Sequence, residues 1–440
     1  MISRILIDKL FGLYDYDISF TAEPAVKILT GPNGYGKTTL LMAIDHLYKG
    51  DFWFFHFLSF DKIVLSLSEQ MIEIVKSVIE RRGTDAMLFA DDTDEYRYEE
   101  VVRLLDKDGK VIEVVTISDN YIQELLSVCR RKMIHEPINL KEEELIARYY
   151  DAEDDDYIQA HSKNISLALQ EYETRYLPAQ RIYNNTFDRF SAYRPLLSVF
   201  HYEIDHVNDE ISRLYRRTQN EFASTSQRID ATFISRLMKK DGCYSKVDLQ
   251  IKLKDLRQRI DGYKELNLFT NMELLDYSMD DEKSYDEYKK VLSLYVDDMN
   301  AKMDRFEKLY QKISLFKRLV TSKVLSDKTI YFSEDGFTIV NVKGRKLNDL
   351  HKLSSGEQNL LILYFNLIFR SNGKTILLID EPENSLHVAW QSKMLDDYIE
   401  MAKTTGCQIL MATHSPTFID GRWELTTDLY RQYKGRVENE

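Results

Sequence analysis

Cysteine is scarce, and the three present, Cys129, Cys243 and Cys407, lie far apart without metal-ligand spacing. An odd number cannot all pair, so a disulfide framework and a thiolate-held metal are excluded, and a reducing compartment is the simplest setting. No stretch approaches the ~20 consecutive apolar residues that span a bilayer. The start, MISRILIDKL, lacks the apolar core of a secretory signal, so a cytoplasmic protein without a membrane partner is expected. Basic residues are in deficit: 59 Lys and Arg against 72 Asp and Glu leave a net charge of −13. Such a field repels a polyanion such as DNA and leaves only a local basic patch to bind one. Metal-ligand clusters are lacking too, apart from the acidic run Asp151, Glu153, Asp154, Asp155 and Asp156. That run reads as a solvated loop, with a divalent-cation site as the alternative.

What the chain does have is a phosphate loop. Gly31 to Leu40, GPNGYGKTTL, satisfies G-x-x-x-x-G-K-[ST] with Gly31, Gly36, Lys37 and Thr38. Glycines let backbone N–H groups close around phosphate oxygens, a lysine neutralises the β- and γ-phosphates, and a hydroxyl is offered to Mg²⁺. The context fits: Val26 to Thr30 reads as a buried strand, and Leu40, Leu41, Ile44 and Leu47 form the stripe of a following helix. Asn33, Gly34, Gly36, Lys37, Thr38 and Thr39 are therefore the candidate nucleotide-binding residues, and ATP with Mg²⁺ the expected cofactors.

At 440 residues the chain is long enough for two structural units. Residues 2–7 and 13–20 read as strands before the phosphate loop. The aromatic run DFWFFHFLSF at 51–60 fits a core, with base stacking as the alternative. Ile63, Leu65 and Leu67 alternate as a strand does, and Asp108-Gly109 marks a hairpin turn. The 119–175 segment is polar and ambiguous, and RYLPAQRIY at 175–183 is a short strand broken at Pro178. From 196 to 325 the period becomes helical. One line is Ile204, Val207, Ile211 and Leu214, a second Leu249, Leu253, Leu256, Ile260 and Tyr263, and a third Val296, Met299, Met303, Phe306, Tyr310 and Ile313. Stripes this narrow fit a coiled-coil-like arm; a helical subdomain packed flat is the alternative. Strand character returns at 328–342, with a turn at Asp335-Gly336. The expected division is 1–195 and 326–440 for a nucleotide-binding head and 196–325 for an inserted arm.

Three more pieces follow: LSSGEQ at 353–358, TILLID at 375–380 followed by Glu381, and ILMATHS at 409–415. With the phosphate loop they resemble the ABC-type ATPases, particularly the branch shared by SMC proteins, double-strand-break-repair ATPases and OLD proteins. GPNGYGKTT looks like their Walker A, LSSGEQ like the signature, TILLIDE like Walker B, ENSLH like the D-loop and ATHS like the H-loop. The signature departs from the transporter form LSGGQ at Ser355 and Glu357. The resemblance implies an α/β, ABC-type P-loop head with an inserted helical arm. Asp380 would hold the Mg²⁺ that Thr38 also reaches, Glu381 would polarise or deprotonate the attacking water, and His414 would sense the γ-phosphate. Gln180, in YLPAQR, is the candidate Q-loop glutamine at catalysis and metal, because similar ATPases carry LP-x-x-R after a core strand. Ser354, Ser355, Gly356 and Glu357 would face the nucleotide of a second protomer, so that ATP joins two copies.

PENSLHVAWQ followed by THSPTFIDGRWELTTDL is similar to bacterial anti-phage defence ATPases, the AriA ATPases of PARIS systems and the PtuA ATPases of Septu systems. That resemblance implies a switch that holds or activates a separate effector, nuclease or toxin, in response to a phage-encoded trigger. Only 26 residues (440 − 414) follow His414, too few for the Toprim nuclease of OLD proteins, so no nuclease activity of the chain's own is expected. The competing expectations are a DNA-maintenance clamp of the SMC or break-repair kind and a transporter's ATP-binding subunit. The acidic balance and the short arm speak against the first, the signature and the long insertion against the second.

Overall fold

Two apolar runs, TILLID and QILMA, have no polar alternation, as expected of strands covered on both faces. In a computed structural model of the chain they lie side by side as Thr375–Asp380 and Gln408–Ala412, buried at every residue. The described residues are 1–20, 23, 25–81, 96–132, 141–150, 162–179, 183–184, 201–240, 242–269, 282–323, 328–347, 350–384 and 388–437. The chain divides into two compact units, Met1–Ala179 with Ser371–Glu440, and Gln180–Arg370.

The first unit holds two sheets. One is parallel and five-stranded, in the order Thr426–Asp428, Val26–Thr30, Gln408–Ala412, Thr375–Asp380, Glu173–Leu177. Its register pairs Asp380 with Ala412 and Ala412 with Leu29. The phosphate loop, Glu381 and His414 therefore leave the sheet at one edge, the carboxyl end of the strands, where α/β folds place their ligands. The other sheet is antiparallel and six-stranded: Tyr14–Ser19, Ile2–Leu10, Lys62–Leu67, Gln70–Arg81, Tyr96–Asp106, Val111–Ile117. The expected strands are there, and Gly109 makes the hairpin turn at a φ of 82° that only glycine adopts at low cost. Phe52, Trp53, Phe55 and Phe60 of the aromatic run are buried in the unit's hydrophobic core. Core filling is thus their role, and no stacking platform is exposed there.

The ambiguous 119–175 segment contains helices Asp119–Lys132, Glu142–Tyr149 and Lys163–Gln170, which bury Ile122, Leu126, Cys129, Ile146 and Ile165. The acidic run at 151–156 lies outside the described residues. The strand Glu173–Leu177 stops before Pro178, as the missing N–H of proline requires.

The second unit is built on three long helices, Glu203–Lys239, Lys246–Glu265 and Glu282–Lys323. Ile204, Val207, Ile211, Leu249, Leu256, Ile260, Val296, Met303, Phe306 and Ile313 are all buried, the narrow stripe expected of a coiled-coil-like arm. In the first line the next buried hydrophobic residue after Ile211 is Tyr215 and not Leu214, its hydroxyl donating to the Leu266 carbonyl at 2.7 Å. Ion pairs fix the register. Lys302 meets Asp230 at 2.7 Å and Arg236 meets Asp298, so the first and third helices run antiparallel. Arg259 meets Asp304 at 2.9 Å and Tyr263 donates to Glu307 at 2.6 Å, so the second and third run parallel. The hairpin Lys328–Ser333 with Gly336–Asn341 and the helix Ser355–Phe369 complete the unit. Arg370 ties the end of that helix to Glu203 at 2.8 Å and Glu210 at 2.6 Å. The class is α/β: a parallel sheet carrying the phosphate loop in the first unit, and long helices in a second unit inserted in the sequence of the first.

Candidate functional site

The phosphate loop links the strand Val26–Thr30 to the helix Lys37–Lys49. Gly36 precedes that helix at φ 78°, which favours glycine, and a Cβ there would stand 2.8 Å from Leu10 Cδ2, so that side chain would have to shift for any other residue. No side chain caps the helix and its first turn holds no acid. Its leading N–H groups and the positive end of its dipole are left for an anion. Asn33, Gly34 and Thr38 are exposed and Thr39 is half-buried.

Lys37 is 6% exposed. Its Nζ donates to the carbonyls of Gly31 at 2.8 Å and Pro32 at 3.0 Å and stands 3.4 Å from His414 Nδ1. Burial lowers its pKa, while the charges of Glu381, Asp380 and Glu383 oppose that fall. Thr38 Oγ1 donates to Asp380 Oδ2 at 2.9 Å, across 342 residues of sequence. A hydroxyl and a carboxylate oxygen at that spacing are the hard-oxygen pair a Mg²⁺ ion takes beside phosphate. Among the described residues no group of three or more His, Cys, Asp or Glu is arranged to hold a metal by itself.

Glu381 follows Asp380 at φ 45°, a left-handed conformation that costs a non-glycine residue free energy. Its N–H donates to the Ala412 carbonyl at 2.9 Å, and its Oε1 lies 3.2 Å from His414 Nε2. Burial, then the neighbouring carboxyls of Glu383 and Asp380, push its pKa up to about 7, with Lys37 pulling the other way. A carboxyl in that range is suited to taking up and releasing a proton near neutrality. Burial and Lys37 lower the pKa of His414, which favours the neutral imidazole.

Glu383, the first residue of the ENSLH segment and given no role of its own by the motif, is 7% exposed and belongs to the same cluster. One oxygen accepts the hydroxyl hydrogen bond of Thr413, the residue before His414. Aromatic side chains were also missed as a group. Tyr14, Tyr430 and Tyr433 surround Tyr35 of the phosphate loop with ring centroids 5.1–6.2 Å from it, and Tyr16 Oη donates to the Tyr35 carbonyl at 2.8 Å. Their wide separation in sequence, at the two ends of the chain, hid them; only the phosphate loop's own tyrosine pointed there.

The signature residues belong to the second unit. Ser354 caps the helix Ser355–Phe369, accepting from the Glu357 N–H at 3.3 Å, while Glu357 Oε2 accepts from the Ser354 N–H at 2.8 Å. This reciprocal cap and Lys328 at 2.7 Å use the Glu357 carboxylate at the helix start. Residues 356–368 are buried, whereas Ser354 and Ser355 are exposed, so the helix meets solvent at its N-terminus. Gln180 and the D-loop residues 385–387 lie outside the described residues.

A phosphate loop, a hydroxyl–carboxylate pair and an acid beside a histidine, gathered at the carboxyl edge of a parallel sheet, define a P-loop ATPase. Residues 1–419 match the AAA ATPase domain, and the chain belongs to that family. No curated protein matches it. Among solved structures it is similar to the Smc head domain with an extended coiled coil, bound to the C-terminal domain of ScpA, from Pyrococcus furiosus. That likeness has 14% identity and a TM-score of 0.35, over 95% of this chain and 90% of that one. The SMC head domain from Thermotoga maritima compares at 11% identity and a TM-score of 0.32, over 95% and 91%. Both likenesses are too loose to bring activity or partners with them.

Proposed function

We propose that this ATPase is the switch subunit of a bacterial anti-phage defence complex, in which ATP-dependent association of two heads holds or activates a separate effector. The reading is supported most by one observation: Lys37, Thr38, Asp380, Glu381 and His414 converge in the first unit, while Ser354 and Ser355 stand exposed at a helix start in the second. A second copy would bring that helix start to the nucleotide. The donor set fits ATP and Mg²⁺. Lys37 and the uncapped helix start would bind the phosphates, and Thr38 and Asp380 would hold the ion. Bound Mg-ATP supplies the electrophilic phosphorus and the charge compensation at its oxygens. Glu381 orients the attacking water and receives its proton at a carboxylate oxygen. Neutral His414 offers Nε2 or Nδ1 to the γ-phosphate side of the site, and Lys37 keeps a cation inside the loop as charge shifts.

Among the described residues no helix is long and apolar enough to cross a membrane. The output is a protein partner, with the chain itself leaving DNA and RNA uncut. The motifs for this particular role are the ENSLH and THSPTF segments, similar to those of defence ATPases. The test has two parts. The purified chain should hydrolyse ATP, lose that activity in Lys37→Ala, and leave nucleic acids intact with Mg²⁺ or Mn²⁺. Expressed with its neighbouring genes it should lower phage plating, and Lys37→Ala should abolish the effect. Full protection by Lys37→Ala would refute the switch, and metal-dependent cleavage that survives stringent purification would refute the division of labour.

A further inference from the structure

Glu383 is a buried carboxylate whose structural environment is poor. One oxygen accepts from the Thr413 hydroxyl. The other is also buried and meets no N–H or hydroxyl among the described residues, and the Glu381 carboxyl lies within hydrogen-bond reach of Glu383. Buried acceptors without a donor and adjacent acids both cost stability. Glutamine would fill the same volume, accept from Thr413 and avoid the clustered charge. An acid retained against that cost points to use at the site.

Its contacts say what use. Thr413 donates its N–H to the Leu29 carbonyl at 3.1 Å, and its Oγ1 accepts the Ser415 N–H at 2.9 Å. His414 therefore sits between two residues fixed to one hydroxyl, and that hydroxyl is bound to Glu383. On the other side, the Glu381 N–H is fixed to the Ala412 carbonyl at 2.9 Å. Two links thus join the turn after Asp380 to the turn bearing His414, one through backbone and one through Glu383 and Thr413. The Glu381–His414 pair lies between them.

We propose that Glu383 is a positioning residue for ATP hydrolysis: bound to Thr413, it clamps the His414 turn to the Walker B turn, and its carboxylate, within hydrogen-bond reach of the Glu381 carboxyl, orients that group. The inference rests on the ATPase reading above and gives a role to a residue of the ENSLH segment that the site residues named from the sequence left out.

Glu383→Gln keeps the volume and the acceptor for Thr413 but loses the charge, Glu383→Ala loses both, and Thr413→Val loses the hydroxyl alone. All three should lower kcat by ~10-fold or more, with KM and the Kd of a non-hydrolysable ATP analogue changed less than ~3-fold. In the nucleotide-free protein, amide exchange at residues 413–415 should quicken ~10-fold in Glu383→Ala and Thr413→Val but stay near wild type in Glu383→Gln. Wild-type kcat in a folded Glu383→Gln would overturn the inference, since the conservative variant rescues a merely structural role. A loss appearing mainly in KM or in analogue binding would overturn it as well. A wild-type chain that binds and hydrolyses no ATP would sink the ATPase reading itself, a result separable from the others by the Lys37→Ala control.

Discussion

Glu381→Gln isolates one step of the chemistry. The amide has nearly the same volume and can still meet His414 Nε2, which stands 3.2 Å from the carboxylate in the wild type. The left-handed backbone and the N–H bond to the Ala412 carbonyl do not depend on the side chain. What is lost is a base. Positioned general bases contribute about 10²–10⁴-fold in rate, so kcat should fall by that factor, a barrier increase of ~2.7–5.5 kcal/mol. Nucleotide binding should persist, because Lys37, Thr38 and Asp380 are untouched and one negative charge has left a site meant for an anion. Burial, Glu383 and Asp380 all disfavour the ionised form of Glu381, so the nucleotide-free variant should melt no lower than wild type. The assay is steady-state phosphate release beside filter-bound labelled ATP, with light scattering to follow dimers stabilised by trapped nucleotide. Turnover within ~3-fold of wild type would refute the assignment of the base.

Mixing Lys37→Ala with Ser354→Arg, each inactive alone, should restore partial ATPase activity if the exposed helix start serves a partner's nucleotide, and no rescue under proven subunit exchange would count against a shared site. Phe306→Ala removes a fully packed ring that meets Phe222 at 5.0 Å and Tyr263 at 5.7 Å between centroids; denaturant unfolding should show a loss of ~3–5 kcal/mol. Glu73 gives a pH test. Burial works against its charge, but hydrogen bonds from Lys62 and Arg103 prevail and hold its pKa below the ordinary value. Its contribution is therefore present above the unfolded pKa and lost as pH falls through the folded one, so Glu73→Gln should flatten that part of the acid stability profile measured by thermal melting.

The legible parts of this chain are those whose chemistry demands neighbours in sequence. A phosphate loop needs its glycines, lysine and threonine within a few residues, and a buried parallel strand needs an unbroken apolar run. GPNGYGKTT and TILLID accordingly announced both the fold and the ends of its strands. Helices were legible where one stripe persisted over several turns, as from Val296 to Ile313. The shorter helices Glu142–Tyr149 and Lys163–Gln170 bury only two and three residues each, too few for a period to emerge. At the Tyr215 step the apolar reading passed over a buried tyrosine, whose hydroxyl donates to a carbonyl 51 residues away.

Glu383 and Thr413 lie in the ENSLH and ATHS segments, yet nothing in either segment says that the two side chains meet. They stand 30 residues apart and meet only because the Thr375–Asp380 and Gln408–Ala412 strands are paired in a register that aligns Asp380 with Ala412. A shift of one residue in that register would separate Glu381 from His414 as well as Glu383 from Thr413. The register is held by apolar side chains, every one of them buried from Ile376 to Ile379 and from Ile409 to Ala412. Packing inside the sheet thus sets the spacing of the polar groups at its edge. A cavity at Leu378 or Leu410 should consequently disturb turnover before it unfolds the protein, an effect that no motif at the edge encodes.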